Sequence, residues 1–247
     1  MAGAIIGGLL QAGYHASNIV VSEPWEEARK RLTQQFKVHV TTDNTAAVSF
    51  PQGQGQPVDV LILAVKPQVM KDVAEGIAQS VNTHHPLIIS IAAGITLPDL
   101  ARWLQGSSPS SKPAAIEMAF AVLKSVSKRN YWVDSEALLD VVTGVSGSGP
   151  AYFFLLVECL EAAGVKLGLP VDVARGLAVQ TCLGAGRMLD STGEDPAELR
   201  RKVTSPNGTT EAALKSLEGS GIRAIFAEAV QRATERSAEL GNLLGKQ

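Results

Sequence analysis

The sequence predicts an α/β domain built on a doubly wound parallel sheet, followed by an all-α domain. Three observations carry that prediction. From Met1 to about Ser107, short β-rich apolar runs alternate with amphipathic stretches, as parallel βα units require. From Ser135 onward the apolar residues fall almost entirely at helical spacing. The chain, at 247 residues, exceeds the usual size of one core, so two domains are expected, divided as 1–134 and 135–247.

The elements follow in order. A helix over Ala2–Ala12 closes at Gly13; it lacks a positive leader region and is too short to span a bilayer, so it reads as a buried helix rather than a signal sequence. Strand Ile19–Ser22 leads to helix Trp25–Phe36, where Pro24 suits a helix start, and strand Val38–Val40 precedes a short helix near Thr45–Val48. The stretch PQGQGQP, Pro51–Pro57, is a surface loop with nothing to bury. Val58–Val65 is a continuous apolar strand covered on both faces. Helix Pro67–Val81 and strand Leu87–Ile91 complete the series, and GSSPSSKP, Gly106–Pro113, reads as a linker.

Helices then follow over Ser135–Thr143, Pro150–Val165, Val171–Asp190, Pro196–Val203, Thr209–Leu217 and Ile222–Leu240. Glu158 and Glu161 interrupt the apolar run of the second, which makes it a core or interface helix rather than a membrane span. Small residues at Ala162, Ala163, Gly164, Gly184, Ala185 and Gly186 permit the close helix approach of an oligomer interface or a tight bundle.

Composition narrows the function. Hydrophobic residues at 45% and charged residues at 19% supply a core, and a net charge of −2 supplies no broad positive field, so a small molecule is expected as partner rather than nucleic acid or membrane. Cys159 and Cys182 form neither a disulfide framework nor a zinc pattern; they read as small core residues in a reducing compartment. His15, His39, His84 and His85 have no metal spacing and are expected on surface turns, so no metal is predicted.

Three segments have the form of ligand sites. Ala64-Val65-Lys66-Pro67 joins a strand to a helix, and Ser90–Gly94 ends the next strand with small residues; ligands of open α/β sheets bind at such carboxyl ends. SGSGPAY, Ser146–Tyr152, is expected as a compact loop or as a helix start with Pro150 in the first turn. Thr204–Thr210 sets hydroxyls and free N–H groups at a helix N-terminus, which suits a carboxylate or phosphate, although ordinary capping by Thr209 or Thr210 accounts for it equally well.

The order of AVKPQ (Ala64–Gln68), SIAAGIT (Ser90–Thr96), SGSGPAY, AGVKLGLP (Ala163–Pro170) and VTSPNGTT (Val203–Thr210) resembles the pyrroline-5-carboxylate reductase family, and Pro196–Glu218 matches its signature almost throughout. The resemblance implies a Rossmann-like dinucleotide domain and a helical substrate-binding domain that forms a homodimer, often within a larger ring. It implies hydride transfer from NAD(P)H to the ring imine of L-1-pyrroline-5-carboxylate, giving L-proline in the cytoplasm. NADP(H) is favoured and NAD(H) possible, since Glu23 resembles the acidic residue that accepts from a ribose 2′-hydroxyl, whereas Ser22, Arg29 and Lys30 suit a 2′-phosphate.

By the same resemblance Glu194 lies near the ring nitrogen, and Ser205, Thr209 and Thr210 bind substrate, with Glu194 and Thr210 as the catalytic pair. Ser22, Asn44, Ala64, Val65, Lys66, Pro67, Ile91, Ala92 and Ala93 resemble the cofactor-contacting residues. No strong general acid or base is evident, so solvent or substrate supplies the proton. The resemblance also implies a first strand with a Gly-rich turn, and a Met-Pro-Asn-Thr-Pro segment near Ile116 and Glu117, neither of which this sequence carries; Gly3, Gly7 and Gly8 lie inside a helix. Two other functions compete: a catalytically inactive helical oligomerisation module, and a β-hydroxyacid-type dehydrogenase. The latter needs a lysine on the first long helix of the second domain, where Glu158 and Glu161 stand and Lys166 falls past the end.

Overall fold

The computed structural model describes residues 2–50, 57–106 and 113–245. The expected Pro51–Pro57 loop, apart from Pro57, and most of the Gly106–Pro113 linker lie outside them. The chain forms two compact units, Met1–Glu136 together with Ala238–Gln247, and Ala137–Ser237.

The first unit begins with α1 (Ala2–Gln11) and β1 (Val20–Ser22), then α2 (Glu26–Phe36), β2 (His39–Thr41) and α3 (Asn44–Val48). β3 (Val60–Leu63), a single 3₁₀ turn at Pro67–Val69, α4 (Met70–His84) and β4 (Leu87–Ser90) follow. β1 pairs with β2 and β3 with β4, both in parallel, but the two pairs are separate two-stranded sheets rather than the single sheet predicted. In doubly wound order a central strand stands between two such pairs, and no run among the described residues fills that place. β1, β3 and β4 are also shorter than the apolar runs containing them, and β2 is displaced by one residue from Val38–Val40. Val58–Val65 yields only Val60–Leu63, because its ladder partner extends only over Leu87–Ser90.

The larger core forms along α4, where Met70, Ala74, Ile77 and Val81 recur at helical spacing and pack with Val48, Leu63, Leu100, Trp103 and Leu104. α1 is half-buried rather than buried: only Ile6 and Leu9 lie inside, with Ile6 on the small cluster around Leu32, Val38 and Phe36 and Gly8 against Ser125 and Val126. His39 stands in β2 and not on a turn, since pairing with Val20 draws it into the ladder. α5 (Leu97–Trp103) is an element the periodicity did not predict. Its signal is local: the Thr96 hydroxyl accepts from Asp99 N–H and donates to the Asp99 carboxylate at 2.7 Å, a capping box written as Thr-x-x-Asp. α6 (Pro113–Lys124) completes the unit before the helical region.

The second unit contains α7 (Glu136–Val142), α8 (Gly149–Lys166), α9 (Val171–Thr192), α10 (Pro196–Lys202), α11 (Thr209–Gly219) and the first part of α12 (Ile222–Gly245). SGSGPAY is not a loop. A π-helical turn over Thr143–Gly147 joins α7 to α8 without a break. Pro150 has no N–H to give and its ring crowds the carbonyl four residues back; the wider turn relieves this, with Ser148 N–H donating to Thr143 O at 2.8 Å and Tyr152 Oη donating to Gly144 O at 2.9 Å. Lys166 is the last residue of α8 rather than beyond it.

Cys159 is exposed and Cys182 partly so, against the expectation of core cysteines. The cause is shared with their neighbours: Phe153, Phe154, Leu155 and Leu160 of α8 and Leu177, Val179 and Leu183 of α9 are exposed as well. By length and composition Glu136–Lys166 would also suffice to cross a membrane.

Candidate active site

The strands end on or beside residues that the sequence singled out, Ser22 after β1, Asn44 beyond β2, Ala64–Pro67 after β3 and Ile91–Ala93 after β4. The Leu63↔Ser90 register brings the turn after β3, Ala64–Pro67, beside the turn after β4, Ile91–Ala93, and Ile91 N–H continues the ladder to Leu63 O at 3.2 Å. Ala64, Lys66 and Ala93 are exposed, whereas Val65 and Ala92 turn inward onto the core. Small side chains thus leave the backbone of both turns open. Pro67 takes the first 3₁₀ position, and Gly94 closes the second turn at φ +77°, which L side chains rarely adopt.

Ser22 ends β1 opposite Thr41 of β2, and Asn44 opens α3 just beyond. Asp43 caps α3 by accepting from Thr45 and Ala46 N–H at 2.8 and 3.2 Å, which leaves the Asn44 side chain exposed. Among the described residues the Ser22 hydroxyl is the one buried side-chain polar atom without a partner, and buried polar atoms are ordinarily satisfied. An orphan oxygen at a strand carboxyl end suits a hydroxylated or phosphorylated ligand. Next to it, Arg29 Nη1 donates to the carbonyls of Glu23 and Pro24 at 2.8 and 2.6 Å, and the Glu23 carboxylate accepts from Trp25 N–H at 3.1 Å.

In the second unit, α9 ends at Gly193, whose φ of 65° turns the chain into Glu194. Asp195 caps α10, accepting from Ala197 N–H at 2.8 Å, and the Glu194 carboxylate pairs with Lys202 at the other end of that helix. Sequence reasoning missed Lys202. Its signal is the eight-residue spacing, which a seven-residue helix between the two turns into proximity.

The loop between α10 and α11 is tightly set. Thr204 Oγ1 donates to Arg200 O at 2.6 Å, Asn207 adopts φ 57°, and Gly208 N–H donates to Ser205 O at 3.1 Å. Gly208 is the N-cap of α11 and has no side chain to cap with. The N–H groups of Thr209, Thr210 and Glu211 therefore stay open, as a helix start free to take an anion should. Of the hydroxyl residues named from the sequence, Ser205 and Thr209 are exposed and Thr210 is half-buried.

Glu211 is a second residue the sequence reading missed. Its carboxylate reaches back past the Gly208 N-cap and accepts from Asn207 N–H at 2.6 Å, a variant of the capping-box contact. Lys215 one turn on at 2.9 Å, and then that backbone donor, hold its carboxyl below the ordinary 4.5. A folded value that is lowered stabilises the loop above the unfolded value, and that contribution disappears as pH falls through the folded one. The protection factor of the Asn207 amide, its exchange relative to the intrinsic rate at each pH, is therefore expected to fall below pH of about 4.5 while amides in mid-α9 keep theirs. Unchanged Asn207 protection through that window would contradict the capping role.

Residues 136–240 match the family described as pyrroline-5-carboxylate reductase dimerisation, and residues 1–94 match that described as NADP oxidoreductase, coenzyme F420-dependent. These matches define a Rossmann-like NAD(P)H-dependent oxidoreductase carrying a helical dimerisation domain. A pyrroline-5-carboxylate reductase of Pseudomonas aeruginosa is 42% identical over 269 residues, spanning 100% of this chain and 95% of that one. One from Glycine max is 35% identical across 97% of this chain and 92% of its own. The solved reductase of Coxiella burnetii superposes with a TM-score of 0.88 at 32% identity, covering 97% of this chain and 94% of that one. The Plasmodium falciparum enzyme, solved with NADP bound, shares the fold at 23% identity and a TM-score of 0.77. The chain belongs to the pyrroline-5-carboxylate reductase family. The Pseudomonas alignment runs to 269 residues against 247 here while covering this whole chain, so that relative carries residues within the aligned span that this chain lacks.

Proposed function

We propose that this chain reduces L-1-pyrroline-5-carboxylate to L-proline in the cytoplasm as a homodimer formed through its second unit, with NADPH as the preferred donor. Residues 1–134 serve the dinucleotide and 135–247 the substrate and the partner subunit. The observation that carries the reading is the open helix start at Thr209–Glu211, held by a loop with no side-chain cap of its own.

The substrate's carboxylate takes the N–H groups of Thr209 and Thr210 and the Thr210 hydroxyl, with Ser205 beside them, where the positive end of α11 favours an anion. Lys215 neutralises Glu211 one turn further on, so the helix start is not spoiled for a second negative charge. Glu194 faces the ring nitrogen. A carboxylate there favours the protonated iminium, the better electrophile, and Lys202 pairs with Glu194 until the substrate cation replaces it. Orientation and exclusion of water then supply much of the rate.

In the first unit the residues present fit a dinucleotide. Ala64–Pro67 and Ile91–Ala93 offer open backbone at adjoining strand ends, and Ser22 and Asn44 offer a hydroxyl and an amide at the other pair. The reduced nicotinamide supplies a hydride to the imine carbon as the nitrogen gains or keeps one proton, which comes from solvent or the substrate. The preference for NADPH rests on Arg29, whose guanidinium is fixed at the end of β1 beside Ser22.

Removing the Thr210 hydroxyl tests the substrate half. Thr210→Ala is expected to raise KM for pyrroline-5-carboxylate about tenfold, the loss of one hydrogen bond to a charged group, while the NADPH dissociation constant stays unchanged. An equal loss of both affinities would contradict the assignment. The second reading is an inactive oligomerisation module, which the exposed apolar faces of α8 and α9 would serve. Isothermal titration separates the two, because that module gives no heat with NADPH or NADH.

A further inference from the structure

The C-terminal turns of α12 leave the helical unit and pack in the first unit. There they meet the turn that follows β4. We infer that this end of α12 positions the Ile91–Gly94 cofactor turn, and that Gly241 is the positioning residue that lets it do so. The inference rests on the reading that Ile91–Ala93 contact the dinucleotide.

Gly94 and Gly241 face one another backbone to backbone. A Cβ on Gly94 would stand 3.2 Å from Gly241 N, and one on Gly241 would stand 3.2 Å from Gly94 O. Both distances are tighter than ordinary van der Waals contact, so any side chain at either residue pushes helix and turn apart. Glycine inside a helix costs about 1 kcal/mol relative to alanine. At Gly241 helix propensity favours alanine, and the close approach is what glycine gives in return.

The approach is clamped one turn further on. Arg102 Nη2 donates to Gly245 O at the end of α12, where a cation also suits the helix dipole, and pairs with Asp99 at 2.9 Å. Asp99, only 9% exposed, is fixed in turn by the Thr96 hydroxyl, and a Cβ on Gly245 would lie 2.8 Å from the Asp99 Cγ. Thr96, Asp99 and Arg102 come directly after the turn in sequence. The β4 ladder fixes the turn where it leaves the strand, through Ile91 N–H to Leu63 O and Ala92 N–H to the Ser90 hydroxyl. α12 fixes it where it ends, at Gly94.

The test uses the full chain and four variants: Gly241→Val, Gly241→Ala, Arg102→Met and Ala93→Leu, with Leu243→Ala as control on an exposed residue of the same helix end. NADPH dissociation constants by calorimetry, KM for pyrroline-5-carboxylate and thermal midpoints are measured for each. Gly241→Val is expected to weaken NADPH about tenfold and leave KM for the imine within about twofold, for a turn displaced by a few tenths of an ångström. Gly241→Ala and Arg102→Met are expected to weaken NADPH a few-fold in the same direction, and they carry the test where the valine variant does not fold. Weakened NADPH after Ala93→Leu with unchanged NADPH binding in the Gly241 and Arg102 variants overturns the positioning role and leaves the cofactor turn standing. Unchanged binding after Ala93→Leu, or no NADPH binding by the parent chain, overturns the cofactor turn and the positioning role with it. Equal weakening of NADPH and imine alongside a lowered midpoint also overturns it, since that is general destabilisation.

Discussion

Gly208→Val is expected to lower kcat/KM for pyrroline-5-carboxylate about a hundredfold, roughly 2.7 kcal/mol of transition-state stabilisation, and to leave NADPH affinity within about twofold. The added side chain has nowhere to go. A Cβ at Gly208 meets the Ser205 hydroxyl and lies 3.1 Å from the Ser205 carbonyl. That carbonyl accepts the Gly208 N–H which closes the loop, so the turn from Ser205 to Thr209 must open. Opening it moves the donor groups of Thr209 and Thr210 together, whereas Thr210→Ala removes one of them. A mild effect of Gly208→Val, similar to that of Thr210→Ala, would show that the loop tolerates displacement and does not hold the carboxylate rigidly. Steady-state kinetics with both substrates varied make the distinction.

Phe154→Asp is expected to raise the dimer dissociation constant at least about a hundredfold, which sedimentation velocity reads as a shift to monomer mass at micromolar concentration. Phe154 is 73% exposed and has Phe153 and Leu155 on either side at 59% and 60%. So much contiguous apolar surface on a hairpin of α8 and α9 marks an interface. Burying a phenylalanine contributes about 1.5–3 kcal/mol for each copy, and a carboxylate in the same place carries a desolvation cost besides. Within the hairpin, Arg175 grips Glu161 through two hydrogen bonds of 2.9 and 2.8 Å, so the charges beside the apolar face are already matched in one subunit. A variant that keeps the mass of the parent would place the partner surface elsewhere.

Much of this was legible in the residues, for identifiable reasons. The Met70, Ala74, Ile77, Val81 stripe and the β-rich runs of the first half are strong periodic signals, and they produced the elements expected of them. The two strand-end turns were found because open α/β sheets present ligands at strand carboxyl ends whatever the chemistry, and the observed register brings them side by side. α5 was missed because it is seven residues long, too short for periodicity, although its Thr96 and Asp99 cap was readable.

Of the two readings of SGSGPAY the helix start with Pro150 in its first turn is the one observed; the loop reading fails because a π turn absorbs the donor that Gly and Ser before Pro usually cost a helix. The cysteines were misjudged because an apolar helix face reads the same whether its own chain or another covers it. Lys202, Glu211 and Gly241 act through partners eight, four and 147 residues away, and the last of these distances no local pattern encodes.

The most direct test is the rate of NADPH oxidation by the full chain on addition of pyrroline-5-carboxylate, followed by the fall in nicotinamide absorbance and by the appearance of proline. Saturable oxidation is expected, with one proline formed for each NADPH consumed and with inhibition by added proline competing for the α11 start. A dimer that forms normally yet neither oxidises NADPH nor releases heat with it would contradict the account and leave the helical interface as the chain's function.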